Sequence, residues 1–225
     1  MTLNETVALF EFPKQAAFGR VVPKSKIYEH ASPSKAVREL FVRQVEQIVW
    51  QYKLSPDTTN LQARPGVQEI QVFSIALKVA EMDFDVLRCI DQAIPSPILF
   101  QLNHGGRTQI VAAYKRPSEA DSAKWVVSDY FATSWVPAET PRNPLPMALD
   151  MASLYEQMLH ALMPLPPWAG ETLSTQVERL GQIRTKQREA DKMTVRLQKE
   201  KQFNRKVEIN AQLRDLKNEL KQLGH

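Results

Sequence analysis

The chain has 225 residues, 43% of them hydrophobic, with fifteen prolines, a single cysteine and a net charge of +4. That length supports one sizeable core plus an appendage and excludes wholesale disorder, while the lone Cys89 excludes an intrachain disulfide framework or a cysteine-rich zinc site. No segment approaches the ~20 consecutive apolar residues of a membrane span. The opening MTLNETVALFEF has neither a basic head nor a long apolar run, so the expectation is a cytoplasmic protein that is neither secreted nor membrane-spanning.

Residues 1–33, punctuated by proline through FEFPKQAAFGRVVPKSKIYEHASPS, predict an extended segment laid along the following domain. SPSKAVRELFVRQVEQIVWQYKLSP then places Val37, Leu40, Phe41, Val45, Ile48, Val49 and Tyr52 at three- and four-residue spacings, with Ser32 or Ser34 before it and Pro56 after it. That pattern predicts an amphipathic helix of about twenty residues. VQEIQVFSIALKV is apolar on both sides in its second half and predicts an interior strand. MDFDVLRCIDQAI predicts a helix capped by Asp83 or Asp85, with Phe84, Leu87, Ile90 and Ile94 inward and Cys89 as a small buried residue; Pro95 and Pro97 end it.

PILFQLNHGGRTQIVAAYKRP reads as two strands joined at Gly105 and Gly106, which tolerate the positive φ of a tight hairpin. KWVVSDYFATSWV predicts one more strand, and its SDYFATSW end is where an aromatic ring could stand exposed. Trp50, Trp125 and Trp135 have apolar neighbours and are expected in the core. MALDMASLYEQMLHALM predicts a last helix with Leu149, Met151, Leu154, Met158, Leu159 and Leu162 inward. Helix, strand, helix and then three strands define an α+β domain over residues 34–163, an antiparallel or mixed sheet with helices on one face.

All prolines lie at or before Pro167, and the 58 residues beyond it contain none. Residues 164–173 form a Pro-rich linker, with Gly170 a break and Thr172 or Ser174 a candidate N-cap. Residues 174–225 are a basic helical tail holding thirteen Lys and Arg against seven Asp and Glu, a net of +6 that leaves −2 on everything before it. Ile209, Leu213, Leu216, Leu220 and Leu223 follow the alternating four-three rhythm of a coiled-coil seam, repeated upstream by Leu173, Val177, Leu180 and Ile183. Around QKEKQFNRK the rhythm weakens. That gap is either a polar stretch in one helix on the order of 75 Å long or the bend of an antiparallel helical hairpin with Asn204 capping the second arm; the absence of Gly and Pro favours continuity.

Enzymatic signatures are sparse. His30, His104, His160 and His225 are far apart and form no helical pair, so no metal site is expected. No nucleophile elbow, Walker loop or dinucleotide glycine motif occurs, and no cofactor is implied. A metal-dependent nuclease is the one enzymatic reading the residues allow. Such a site sets a helical Glu beside sheet carboxylates and a lysine, and Glu46, Glu69, Asp129, Lys78 and Lys115 are its candidates, although the sheet lacks a Glu-x-Lys.

The segments ELFVRQVEQIVWQYKLSP, EIQVFSIALK, AIPSPILFQL, AAYKRPSEADSAKWVVSDYF, LYEQMLHALMPLP and EKQFNRKVEINAQLRDLKNEL together resemble a bacterial family catalogued only as a domain of unknown function. Its members tend to be encoded beside DNA methyltransferases and superfamily 2 helicases in restriction-like anti-phage loci. The resemblance implies a small accessory component working on DNA with a methylating and a translocating enzyme, and it brings no catalytic residues with it.

Three functional expectations follow. The first is a non-catalytic assembly subunit whose seam residues Ile209, Leu213, Leu216, Leu220 and Leu223 dock on a methyltransferase or helicase partner, or on a second copy. The second is a DNA-binding module that contacts phosphates through Arg184, Lys186, Arg188, Lys192, Arg196, Lys199, Lys201, Arg205 and Lys206. The nuclease is the third. No small-molecule substrate and no membrane are indicated.

Overall fold

The computed structural model describes residues 8–121 and 124–224. The chain falls into two compact units, one ending at Met163 and the other beginning at Pro164. The first contains β1 (Phe10–Glu11), β2 (Ala17–Val21), α1 (Lys24–Ala31), α2 (Lys35–Gln44), β3 (Val45–Leu54), the single turn α3 (Pro56–Thr59), β4 (Ile70–Leu77), α4 (Phe84–Ala93), β5 (Ile98–His104), β6 (Arg107–Pro117), β7 (Trp125–Ala132), β8 (Val136–Pro137), β9 (Asn143–Pro144) and α5 (Met151–His160). The second contains α6 (Leu173–Lys199) and α7 (Phe203–Gly224).

The main sheet is mixed, in the order β2-β3-β4-β5-β6-β7 with β8 paired to β6. Within this sheet only β4 and β5 run parallel, and α4 is the crossover that parallel pairing requires. The β5–β6 connection is the expected tight hairpin, with φ of 54° at Gly105 and 73° at Gly106, the double positive that a two-residue primed turn demands. Phe73, Ile75, Phe100, Leu102, Val111 and Ala113 form one apolar face, covered by Phe41 of α2, Ile27 of α1 and Val86, Leu87 and Ile90 of α4. By strand alternation Ile70, Val72, Leu99 and Ala112 point to the opposite side, where they too are buried. The Tyr155 hydroxyl of α5 donates to Ala113 O at 2.7 Å and accepts from Lys115 N at 3.0 Å.

Several local expectations need correction. The long helix predicted over 34–52 is only α2, because Val45–Leu54 is a central strand paired with β4. A register shift between Val45 and Gln47 puts both Val45 and Ile48 in the core, so a β-bulge produces the three-residue spacing that imitates a helix. Its β-branched and aromatic residues pack better on a pleated surface than in a helix. The N-terminal segment is not simply extended: β2 pairs with β3, and Lys24–Ala31 is helical; residues 1–7 of that expectation lie outside the described ones. Leu149, expected to point inward, is 93% exposed, because α5 starts only at Met151, where Asp150 caps it by accepting from Ser153 N at 2.9 Å.

Phe84, expected inward with Leu87 and Ile90, is instead 38% exposed at the first position of α4, whereas the following expectations match. Asp83 caps α4 by accepting from Asp85 N at 3.0 Å. Cys89 is buried, and that burial pushes its thiol up to about 11. Trp50 and Trp135 pack half-buried against the core, Trp50 stacking on Phe73 at 5.9 Å, and Trp125 is half-buried. Against the suggestion of an exposed ring in SDYFATSW, Tyr130 and Phe131 are both buried.

Candidate nucleic-acid interface

The second unit is built from its caps outward. Thr172 and Thr175 make a reciprocal capping box that starts α6. One turn further in, the buried Arg179 donates to both carboxylate oxygens of Glu171, each at 2.7 Å, and to Pro166 O and Leu223 O, each at 3.0 Å. Its guanidinium also lies 4.2 Å from the centre of the Trp168 ring. Arg179 thus ties the proline-rich linker, the start of α6 and the last turn of α7 into one joint. The sequence offered no sign of this role, because an arginine early in a basic helix looks like one more solvated charge.

The tail is an antiparallel helical hairpin, not the continuous helix that the lack of Gly and Pro favoured. Glu200 ends α6 with an extended backbone (φ −69°, ψ 134°). Its carboxylate accepts from Lys201 N at 2.8 Å and Gln202 N at 2.9 Å, which satisfies the turn without glycine. The physical reason for the fold-back is the pair of seams. A single straight helix would leave both in water, whereas the hairpin lets each cover the other. Leu180 and Ala190 of α6 and Ile209 and Leu213 of α7 are buried, and Leu216, Leu220 and Leu223 are half-buried.

This placement sorts the expected DNA-binding residues. Lys186 is half-buried and paired with Glu219 of α7, so it belongs to the helix–helix contact; Arg184 is also half-buried. Arg188, Lys192, Arg196 and Lys199 are exposed and follow one another at four-, four- and three-residue steps. At 3.6 residues per turn this is a single row roughly opposite the buried seam, spanning about 16 Å of α6. Glu189 and Asp191 flank the row, roughly 65° and 95° around the helix from its centre. Lys201, Arg205 and Lys206 extend the cationic surface across the turn and are likewise exposed.

The nuclease candidates are not brought together. Glu69 lies just before β4, in an ion pair with Lys53 at 2.6 Å, beside an open cleft of about 860 Å³ also lined by Asp57 and Arg64. Glu46 and Lys78 are at the other end of the β3–β4 pair, where Lys78 donates to Val42 O at 2.9 Å. Asp129 is exposed on β7. Lys115 is fully buried, its ammonium donating to Asp91 O at 2.5 Å and to Ile94 O, with the Asp91 carboxylate at 3.5 Å. It is a cation at the carbonyl end of α4, where the helix dipole is negative. Among the described residues no group of three His, Cys, Asp or Glu side chains is placed to hold one metal ion.

Fold and surface together define an α+β domain carrying a basic helical hairpin, in which no helix is long and apolar enough to cross a membrane among the described residues. The chain belongs to the family described as Domain of unknown function (DUF4391), which matches residues 10–220. No curated protein and no solved structure matches it.

Proposed function

We propose that the protein is a non-catalytic accessory subunit that holds its assembly on DNA through the outer face of the helical hairpin. The observation that carries this reading is the exposed row Arg188, Lys192, Arg196 and Lys199, set opposite a seam that is already occupied. A strand of B-DNA presents about five phosphates along the length of that row. Contacts of this kind position a protein on the duplex without reading sequence, which suits a component whose specificity lies in its partners. The genomic setting implied by the family resemblance makes a methyltransferase or a helicase the natural partner. Because the seam covers itself within one chain, the reading places recognition on the cationic face and not on Ile209, Leu213, Leu216, Leu220 and Leu223.

Duplex binding by the full chain should weaken linearly in log–log form as salt rises, since neutralised phosphates release counterions. The triple substitution Arg188→Glu, Lys192→Glu, Arg196→Glu should make that slope shallower by up to about 2.7, roughly 0.9 for each phosphate contact removed. A salt-independent signal, no binding by the intact chain at low salt, or an unchanged slope in the triple variant would refute the proposal.

A further inference from the structure

At the turn of the hairpin an aromatic ring stands in water. Phe203, the first residue of α7, is 77% exposed, and Val207, one helical turn on, is 53% exposed. Close to them along the chain are the exposed Lys199, Lys201, Arg205 and Lys206. The one acid of the turn, Glu200, has its carboxylate engaged by the Lys201 and Gln202 N–H groups. Lys199, the last cation of the α6 row, is also four residues before Phe203 across the turn, so a phosphate backbone followed along α6 is led toward the tip.

We infer that the tip is a stacking wedge for unpaired nucleotides: the four cations hold the backbone and the Phe203 ring takes the face of a base, on single-stranded DNA or at the frayed end of a duplex. This rests on the phosphate-binding reading and adds the substrate class to it. Base stacking needs only one exposed ring and tolerates any base, and apolar side chains inserted between bases are a standard way to part them. A lipid surface fits the tip less well, because one phenylalanine and one valine offer far less apolar area than the continuous face of an interfacial helix.

The test uses the full chain and measures fluorescence anisotropy against a labelled oligothymidylate and a labelled duplex of equal length. Phe203→Ala should weaken oligothymidylate binding about tenfold and leave duplex binding within about twofold, while Phe203→Trp should restore the single-strand affinity. Duplex binding with its full salt slope, combined with a Phe203→Ala variant indistinguishable from wild type on the single strand, overturns the wedge and leaves the phosphate-binding reading standing. Binding of neither oligonucleotide by wild type overturns both. Loss of binding to anionic vesicles in Phe203→Ala, with oligonucleotide affinities intact, overturns the wedge in favour of a membrane surface.

Discussion

Asp91→Ala should be among the most destabilising substitutions in the first unit, and the structure says by how much. The carboxylate is 3% exposed, accepts a hydrogen bond from the Tyr130 hydroxyl at 2.5 Å and faces the Lys115 ammonium at 3.5 Å. Removing one partner of a buried pair leaves the other charge uncompensated, at about 3–5 kcal/mol. Here Lys115 keeps the Asp91 and Ile94 carbonyls, which places the loss near the lower end, about 3 kcal/mol. Tyr130→Phe, which deletes only the hydrogen bond to the carboxylate, should cost about 1.5–3 kcal/mol. The double substitution Asp91→Leu with Lys115→Met should recover most of the single loss, because apolar replacement of a whole buried pair is often neutral.

Urea unfolding of the wild type and the three variants at constant m-value gives the required free energies. The pH dependence supplies a second check. Burial raises the Asp91 carboxyl to about 6, partly offset by Lys115 and Tyr130. A folded value above the ordinary 3.8 means a contribution fully present below pH 4 and lost as pH rises through 6. The advantage of wild type over Asp91→Ala should therefore be larger at pH 5 than at pH 8, by on the order of 1 kcal/mol. A loss under about 1 kcal/mol in Asp91→Ala, with no recovery in the double variant, would refute this account of the core.

Two further outcomes concern the cap of α5 and the division of the chain. The Asp150 carboxyl is held down at about 2, first by the Ser153 N–H and then by Arg64, so the stabilisation lost in Asp150→Ala should be complete above pH 4 and disappear as pH falls through 2; melting curves of the two proteins across that range would measure it. A truncation ending near Pro167 should stay soluble and melt as one cooperative transition, since the first unit has its own core; an unfolded or aggregated product would refute the separation of the two units.

Much of the architecture was legible because its signals are local. Gly105 and Gly106 between two β-rich runs define the hairpin whatever surrounds them. Asp83 in MDFDVLRC and Thr172 near the start of the proline-free tail are caps whose hydrogen bonds close within one turn of helix. The last proline likewise marks the change from folded domain to helices. Val45–Leu54 was not legible, because helix and bulged strand produce the same apolar spacing, and the choice falls to pairing with β4, residues distant in sequence. Of the interface, the amino acids alone disclosed the cations and their rough spacing. They could not separate Lys186, spent on Glu219, from Lys192, which faces water.

By itself, then, the sequence determined the elements whose stabilising contacts are near neighbours along the chain: turn, caps, amphipathic helices and the basic charge of the tail. Tertiary structure alone decided what depends on pairing between distant segments. It turned half of a predicted helix into a central strand, buried Lys115 beside Asp91, and folded the tail so that its leucines meet each other. The last of these set the cationic row and Phe203 facing outward, because a hairpin that satisfies its apolar seam internally leaves its charged face to meet something else.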